Sequence, residues 1–199
     1  MKFSRTLIVL SALVVLAFVV VGIRIVIWNG QNSEAKAGPA IGGPFTLTDH
    51  TGKVVSDRDF RNRYMLIFFG YTFCPDVCPT TLSTVSGALD KLGPGFAKKM
   101  VPIFISIDPE RDTPAVMKDY VSAFSPDIVG LTGSPEDIAK VSKAFKVYAA
   151  KAKGESPDRY TVDHSAILYL MGPDGRFVAH FTHGISVDDL VAGLKKHIG

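Results

Sequence analysis

The chain holds two cysteines, Cys74 and Cys78, both in the stretch FGYTFCPDVCP at residues 69–79. Thiols at this spacing can serve as a structural disulfide, a redox couple or a pair of metal ligands. A disulfide closing so short a loop would contribute roughly 2 kcal/mol at most before strain, and a domain with a proper core has little need of it. On a helical turn, residues four apart lie on one face about one turn from each other. Two such sulfurs can form a disulfide or chelate an ion with little backbone motion between the two states. At a helix N-terminus they would also sit near unpaired N–H groups that favour thiolate. Structural zinc takes four ligands, so two thiolates alone are too few. Two thiolates with one imidazole suit copper, and Cu(I) above all.

The imidazole would come from among His50, His164, His180, His183 and His197. His197 lies at the chain end, His50 in a hairpin turn, and His180 and His183 on or just past the last strand. His164 stands where a polar loop meets an apolar run in YTVDHSAILYL. The start of a central strand there could face the cysteine loop. Such a junction equally suits a hydrogen-bonded structural histidine, and no local motif ties His164 to Cys78. Chemistry of residue types therefore leaves copper binding and thiol exchange both open.

These residues need a scaffold, and the hydrophobic pattern supplies one. FTLTDHTGKVVSDRDF predicts a β-hairpin turning at Thr-Gly, and YMLIFFG (64–70) is a short apolar run of the kind buried on both faces of a sheet. A helix opened by Pro79-Thr80-Thr81 is expected to end at Gly93. VPIFISID (101–108) and IVGLTG read as further strands, each followed by a helix, TPAVMKDYVSAF and the Ser134-capped SPEDIAKVSKAFKV. HSAILYLMGPDGRFVAHFTHG predicts a hairpin turning at Pro-Asp-Gly, and SVDDLVAGLKKHI a closing amphipathic helix capped by Ser186. The cysteines thus fall at the carboxyl end of the first buried strand, where open α/β sheets hold their chemistry. The fold class expected is α/β, with a mixed central sheet flanked by helices.

Composition narrows the function classes. The chain is 47% hydrophobic and 21% charged with a net charge of +3, which argues against disorder and against nucleic-acid binding. Its N-terminus departs from that average: residues 6–23 carry no charged side chain, a run of about 27 Å as a helix at ~1.5 Å per residue. Arg24 can snorkel, and Trp28 can anchor at the interface. The run is longer than the apolar core of a secretory signal, for which Ala35-Lys36-Ala37 offers only a weak cleavage site. Residues 1–28 are therefore expected to form a cytoplasmic stub and a retained transmembrane helix. Residues 29–43 read as a flexible tether and 44–199 as the domain. Lys2 and Arg5 place the N-terminus in the cytoplasm, and the domain on the periplasmic side of the inner membrane.

Three segments in order, FGYTFCPDVCP, SIDPERDTP (106–114) and VDHS (162–165), following an apolar N-terminal run, closely resemble the Sco/SenC family of membrane-tethered copper proteins. The resemblance implies a thioredoxin-like fold and copper, Cu(I) or Cu(II), bound by Cys74, Cys78 and His164. It implies a copper chaperone acting in assembly of the binuclear CuA centre on cytochrome c oxidase subunit II. The alternative within the family is a thiol–disulfide oxidoreductase, its redox-active pair Cys74 and Cys78 reducing the cysteines of that centre. Other periplasmic copper chaperones or thiol reductants would be further partners. Asp76 and Asp163 match the family pattern and could be loop carboxylates, added Cu(II) ligands or partners orienting the imidazole. Asp108, Arg111 and Asp112 of SIDPERDTP read as mainly structural, with partner recognition as their other use. A peroxiredoxin-like peroxidase has only the cysteines in its favour.

Overall fold

The computed structural model describes residues 14–16, 18–24, 41–152 and 160–199. In the N-terminal unit, residues 14–16 and 18–24 are helical. Most of the expected anchor (1–28), and residues 29–40 of the expected tether, lie outside the described residues. Among the described residues no helix is long and apolar enough to cross a membrane.

The second unit spans Ala40–Gly199. A hairpin of β1 (Thr46–Asp49) and β2 (Val54–Ser56) leads through a 3-10 turn, Asp57–Phe60, into β3 (Tyr64–Gly70). After it come α1 (Val77–Leu92), the short α2 (Pro94–Ala97), β4 (Met100–Ser106), α3 (Pro114–Ser122), β5 (Val129–Thr132) and α4 (Pro135–Ala144). Then follow β6 (Ala149–Lys151), β7 (Val162–His164), β8 (Ile167–Met171), β9 (Phe177–Thr182) and α5 (Val187–Ile198). Seven strands form one sheet in the order β2-β1-β5-β4-β3-β8-β9. The inner three, β5, β4 and β3, run parallel, while β1, β2, β8 and β9 join antiparallel. The mixed sheet flanked by helices is the expected thioredoxin-like α/β architecture.

Period-two alternation on buried strands builds two cores, one on each face. Leu66 and Phe68 of β3 join Phe104 of β4 and Leu168 and Leu170 of β8 against Leu82, Val85 and Leu89 of α1 and Leu190 and Leu194 of α5. Met65, Ile67 and Phe69 point the other way, onto Ile138 and Val141 of α4, with Phe145 just beyond it. Ile41 packs against this second core and Gly42 N–H bonds Ala144 O at 2.9 Å, so residues read as the end of the tether lie against the body. Ser134 and Ser186 cap α4 and α5 as expected, each accepting a backbone N–H three residues on at 3.1 Å.

Two departures from expectation bear on the cysteines and the histidine. First, α1 starts at Val77 instead of at Pro79, so Cys78 stands inside the first turn and Asp76 takes the N-cap position. Pro79 is compatible because N–H groups in a first turn have no helical partner to lose. Second, β6 and β7 form a separate antiparallel pair outside the main sheet. AAK and VDH are too short to show a strand period, which is why the sequence does not announce them.

Register brings the carboxyl ends of β3 and β4 side by side, Gly70 opposite Ser106. A β-carbon at Gly70 would lie 2.5 Å from Cys78 Sγ and 2.8 Å from the Phe104 ring. Glycine is required here by close approach. Gly70→Ala is expected to destabilise the reduced chain by about 1–3 kcal/mol through overpacking, read as a lower denaturant midpoint with unchanged slope. A wild-type midpoint would show that the sulfur is not wedged against the strand.

Candidate metal centre

Beyond β3 the chain turns through Tyr71, Thr72 and Phe73 before Cys74. That turn is pinned from below. Thr72 donates its N–H and its hydroxyl to the carboxylate of Asp112, the hydroxyl at 2.6 Å, and Ser106 Oγ donates to the same carboxylate at 2.6 Å. Asp112 is fully buried. Burial pushes its carboxyl up, and the bonds from Ser106 and Thr72 pull it back towards the charged form. Cys74 N–H closes the turn on Tyr71 O at 3.2 Å. Cys74 is left half-buried while Cys78 is wholly enclosed.

The other half of the centre arrives on β7. His164 pairs with Ala149 across the small hairpin and meets the rings of Tyr71 and Phe68 edge-on, at 5.9 and 6.3 Å between centroids. Its Nδ1 lies 3.2 Å from Ser165 O. Assigning the ring proton to Nδ1, so that it donates to that carbonyl, leaves a lone pair on Nε2. Nε2 lies 3.5 Å from Cys78 Sγ. The ligand atoms of Cys74, Cys78 and His164 all lie within 4.8 Å of one another, the one such group of three among the described residues.

The two thiols are free and electrostatically unequal. A hydrogen bond from Cys78 holds Cys74 far below the ordinary thiol range, at about 4, against the opposing effect of burial. N–H groups of Asp76 and Cys78 at the start of α1 add to that stabilisation. Cys78 is driven the opposite way, first by sharing its proton with Cys74 and then by burial. At neutral pH the pair therefore holds one proton, with the charge on the accessible sulfur.

The remaining candidates fall into place around this group. Asp76 is exposed and accepts from Thr80 Oγ1 at 3.3 Å, and Asp163 is exposed on β7 opposite Ala150; neither joins the three grouped ligand atoms. His50 Nδ1 accepts Gly130 N–H at 2.9 Å, a structural bond. His180 stacks on Phe177, His183 lies 3.3 Å from Thr81 Oγ1, and His197 sits in the last turn of α5. Asp108 is buried and accepts from Arg111 Nε and, at 2.6 Å, from Tyr160 Oη. Tyr71 Oη accepts Val162 N–H at 3.2 Å. Tyr71 and Tyr160 were not singled out in the sequence. Tyr71 stood inside the cysteine motif, whereas the contacts of Tyr160 reach residues about fifty positions away, beyond any local signal.

Two thiolate-forming sulfurs and one neutral imidazole nitrogen are a donor set fit for a soft, low-coordinate cation, and too few for structural zinc. The same pair can close to a disulfide. Comparison with known proteins agrees with this geometry. The Homo sapiens "Protein SCO1 homolog, mitochondrial" is 41% identical over 161 residues, which cover 80% of this chain and 54% of that protein. The chain spans a little over half the length of the first curated relatives it matches. The structure of Bradyrhizobium japonicum ScoI with copper bound superposes with a TM-score of 0.74 at 51% identity, covering 79% of this chain and 99% of that one. BsSco, described as a member of the Sco family of cytochrome c oxidase assembly proteins and as having a disulfide switch, gives a TM-score of 0.60 at 28% identity, covering 80% of this chain and 94% of that one. The SCO1/SenC family model matches residues 33–199, and the chain belongs to that family.

Proposed function

We propose that this chain binds copper through Cys74, Cys78 and His164 and delivers it to the CuA centre of cytochrome c oxidase subunit II during its assembly. The observation that carries this reading is the convergence of two sulfurs and an imidazole nitrogen within 4.8 Å. The copper-bound relative and the oxidase-assembly role named for BsSco support it. Copper is cargo here, passed on by ligand exchange. Cys74 is already thiolate, and Cys78 gives up its proton as the metal enters, so loading releases a proton. The uncharged run at residues 6–23 supports a single membrane anchor with the domain on the periplasmic side.

A second reading, thiol–disulfide exchange with subunit II, is favoured by the unequal thiols. The Cys74 thiolate would attack one sulfur of a target disulfide, forming a mixed disulfide and releasing the other target sulfur as thiolate. Cys78, after losing its proton, would then attack Cys74. The Cys74–Cys78 disulfide forms, and the target leaves with both its cysteines reduced.

In the reduced full-length chain, Cys74→Ser or Cys78→Ser is expected to abolish stoichiometric Cu(I) binding in competition with a chromophoric chelator. His164→Ala is expected to weaken Cu(II) binding. Tight one-to-one copper retained by the double cysteine variant would sink the chaperone reading.

The pH dependence follows from the unequal thiols. An ordinary thiol, with a pKa of about 8.5, loses reactivity about tenfold per unit below that value. Cys74, held at about 4, should alkylate at a nearly constant rate from about pH 5 to about pH 8, with Cys78 silent. Its lowered value also contributes stability that is fully present above the unfolded value and fades as pH falls towards about 4. A rate at Cys74 that falls tenfold per unit over that range would show an ordinary thiol, and would remove the observation that favours exchange.

A further inference from the structure

His164 rides on a hairpin that the main sheet does not hold. β6 and β7 pair only with each other, over three residue pairs, and a two-stranded ribbon of that size is marginal alone. Chain continuity into β8 fixes one end of it. The rest is seated against the cysteine loop by Val162, buried in the core with its N–H on Tyr71 Oη, and by a set of side-chain contacts that converge on SIDPERDTP. Arg111 lies with its guanidinium carbon 3.7 Å from the ring centroid of Tyr160, 4.7 Å from that of Phe73 and 5.7 Å from that of Tyr71. Phe73 precedes Cys74 in sequence, and Tyr160 leads into β7. Arg111 Nη1 also donates to Tyr160 O at 3.1 Å, while Asp108 accepts from both Arg111 Nε and Tyr160 Oη. At the outer edge Lys151 of β6 pairs with Glu110 at 2.7 Å. Four residues beyond Asp108 on the same loop, Asp112 faces inward and holds Thr72.

We propose that SIDPERDTP is a bracket that sets the third metal ligand, with Arg111, Asp108 and Tyr160 as positioning residues that seat the His164 hairpin on the cysteine loop. The loop is linked to both halves of the centre: Asp112 to the cysteine turn, and Asp108 with Arg111 to the histidine hairpin. Cation–π contacts suit this job, because one guanidinium over rings from both segments ties those segments to each other. The two cysteines need no such help, since both lie on the cysteine loop and the first turn of α1. The bracket therefore affects imidazole ligation selectively. It rests on the reading that His164 completes the copper site.

The test compares Arg111→Ala, Tyr160→Phe and His164→Ala with wild type in the full-length reduced chain. The measurements are Cu(II) titration, the thiolate-to-copper charge-transfer band, the Cu(II) electron paramagnetic resonance spectrum, and Cu(I) competition with a chelator. Loss of groups that orient metal ligands typically costs 10–100-fold in affinity. Arg111→Ala is expected to lose Cu(II) affinity in that range and to shift both spectra towards those of His164→Ala, while Cu(I) capture by the two cysteines persists. Tyr160→Phe keeps the ring beneath the guanidinium and removes only the bond to Asp108. It should move the spectra the same way by less, and it decides the matter alone if Arg111→Ala does not fold. Wild-type Cu(II) spectra from both bracket variants beside altered spectra from His164→Ala overturn the bracket alone, whatever happens to thermal stability. Wild-type spectra from His164→Ala overturn the three-ligand reading and the bracket with it.

Discussion

The approach of Cys78 Sγ to His164 Nε2, 3.5 Å across 86 residues of sequence, is the constraint on which the rest of this centre depends. The sulfur cannot move to meet the ring. It is fully buried beside the end of β3, at a point where even a methyl group on Gly70 would collide with it. The imidazole has to be brought to the sulfur and held there. Its Nδ1 is engaged at Ser165 O, and the edges of Phe68 and Tyr71 limit its rotation. Sheet register does the first half of the work by placing the end of β3 beside the end of β4. The loop that follows β4 is then close enough to reach both sides.

That loop shows how two aspartates of one motif can differ in effect. Asp112 is turned into the protein and satisfied by two hydroxyls and a backbone N–H, so it fixes the path of the chain just before Cys74. Asp108 is equally buried, but its partners are the guanidinium of Arg111 on the same loop and the phenol of Tyr160, which leads into the histidine hairpin. Buried carboxylates without such partners would cost several kcal/mol each. Their full satisfaction makes the loop rigid, and rigidity is what a site assembled from distant segments requires.

Residue pattern in the sequence pointed to the three residues that cluster better than to those that support them. The cysteine loop at the end of a buried strand, the alternating strands and the serine caps of α4 and α5 are local features, and each appears where its pattern indicated. His164 could not be chosen over a structural histidine from its neighbours alone; three ordered motifs made the choice through resemblance. Residue spacing is silent about β6 and β7, because three-residue strands leave no periodic trace. It is equally silent about Arg111 over the rings of Phe73 and Tyr160, because contact across 38 and 49 positions is a property of the fold. The start of α1 was displaced by two residues because proline marks a first turn without saying which position in that turn it fills.

The charge of the reduced pair suits one kind of metal ion over others. With Cys74 ionised and Cys78 protonated, the two sulfurs together carry a single negative charge in a partly enclosed space. Exchanging the shared proton for Cu(I) leaves that charge unchanged, so entry of the ion adds no net charge to the site. Cu(II) would bring the pair to neutrality, and there the imidazole matters more, since the harder ion gains more from nitrogen. Zinc would also neutralise the pair but would lack a fourth ligand among the grouped residues. Oxidation to the disulfide removes charge and ligands at once. Under the two proposed readings, copper loading and thiol exchange compete for the same reduced pair, and both begin at the half-buried Cys74 sulfur.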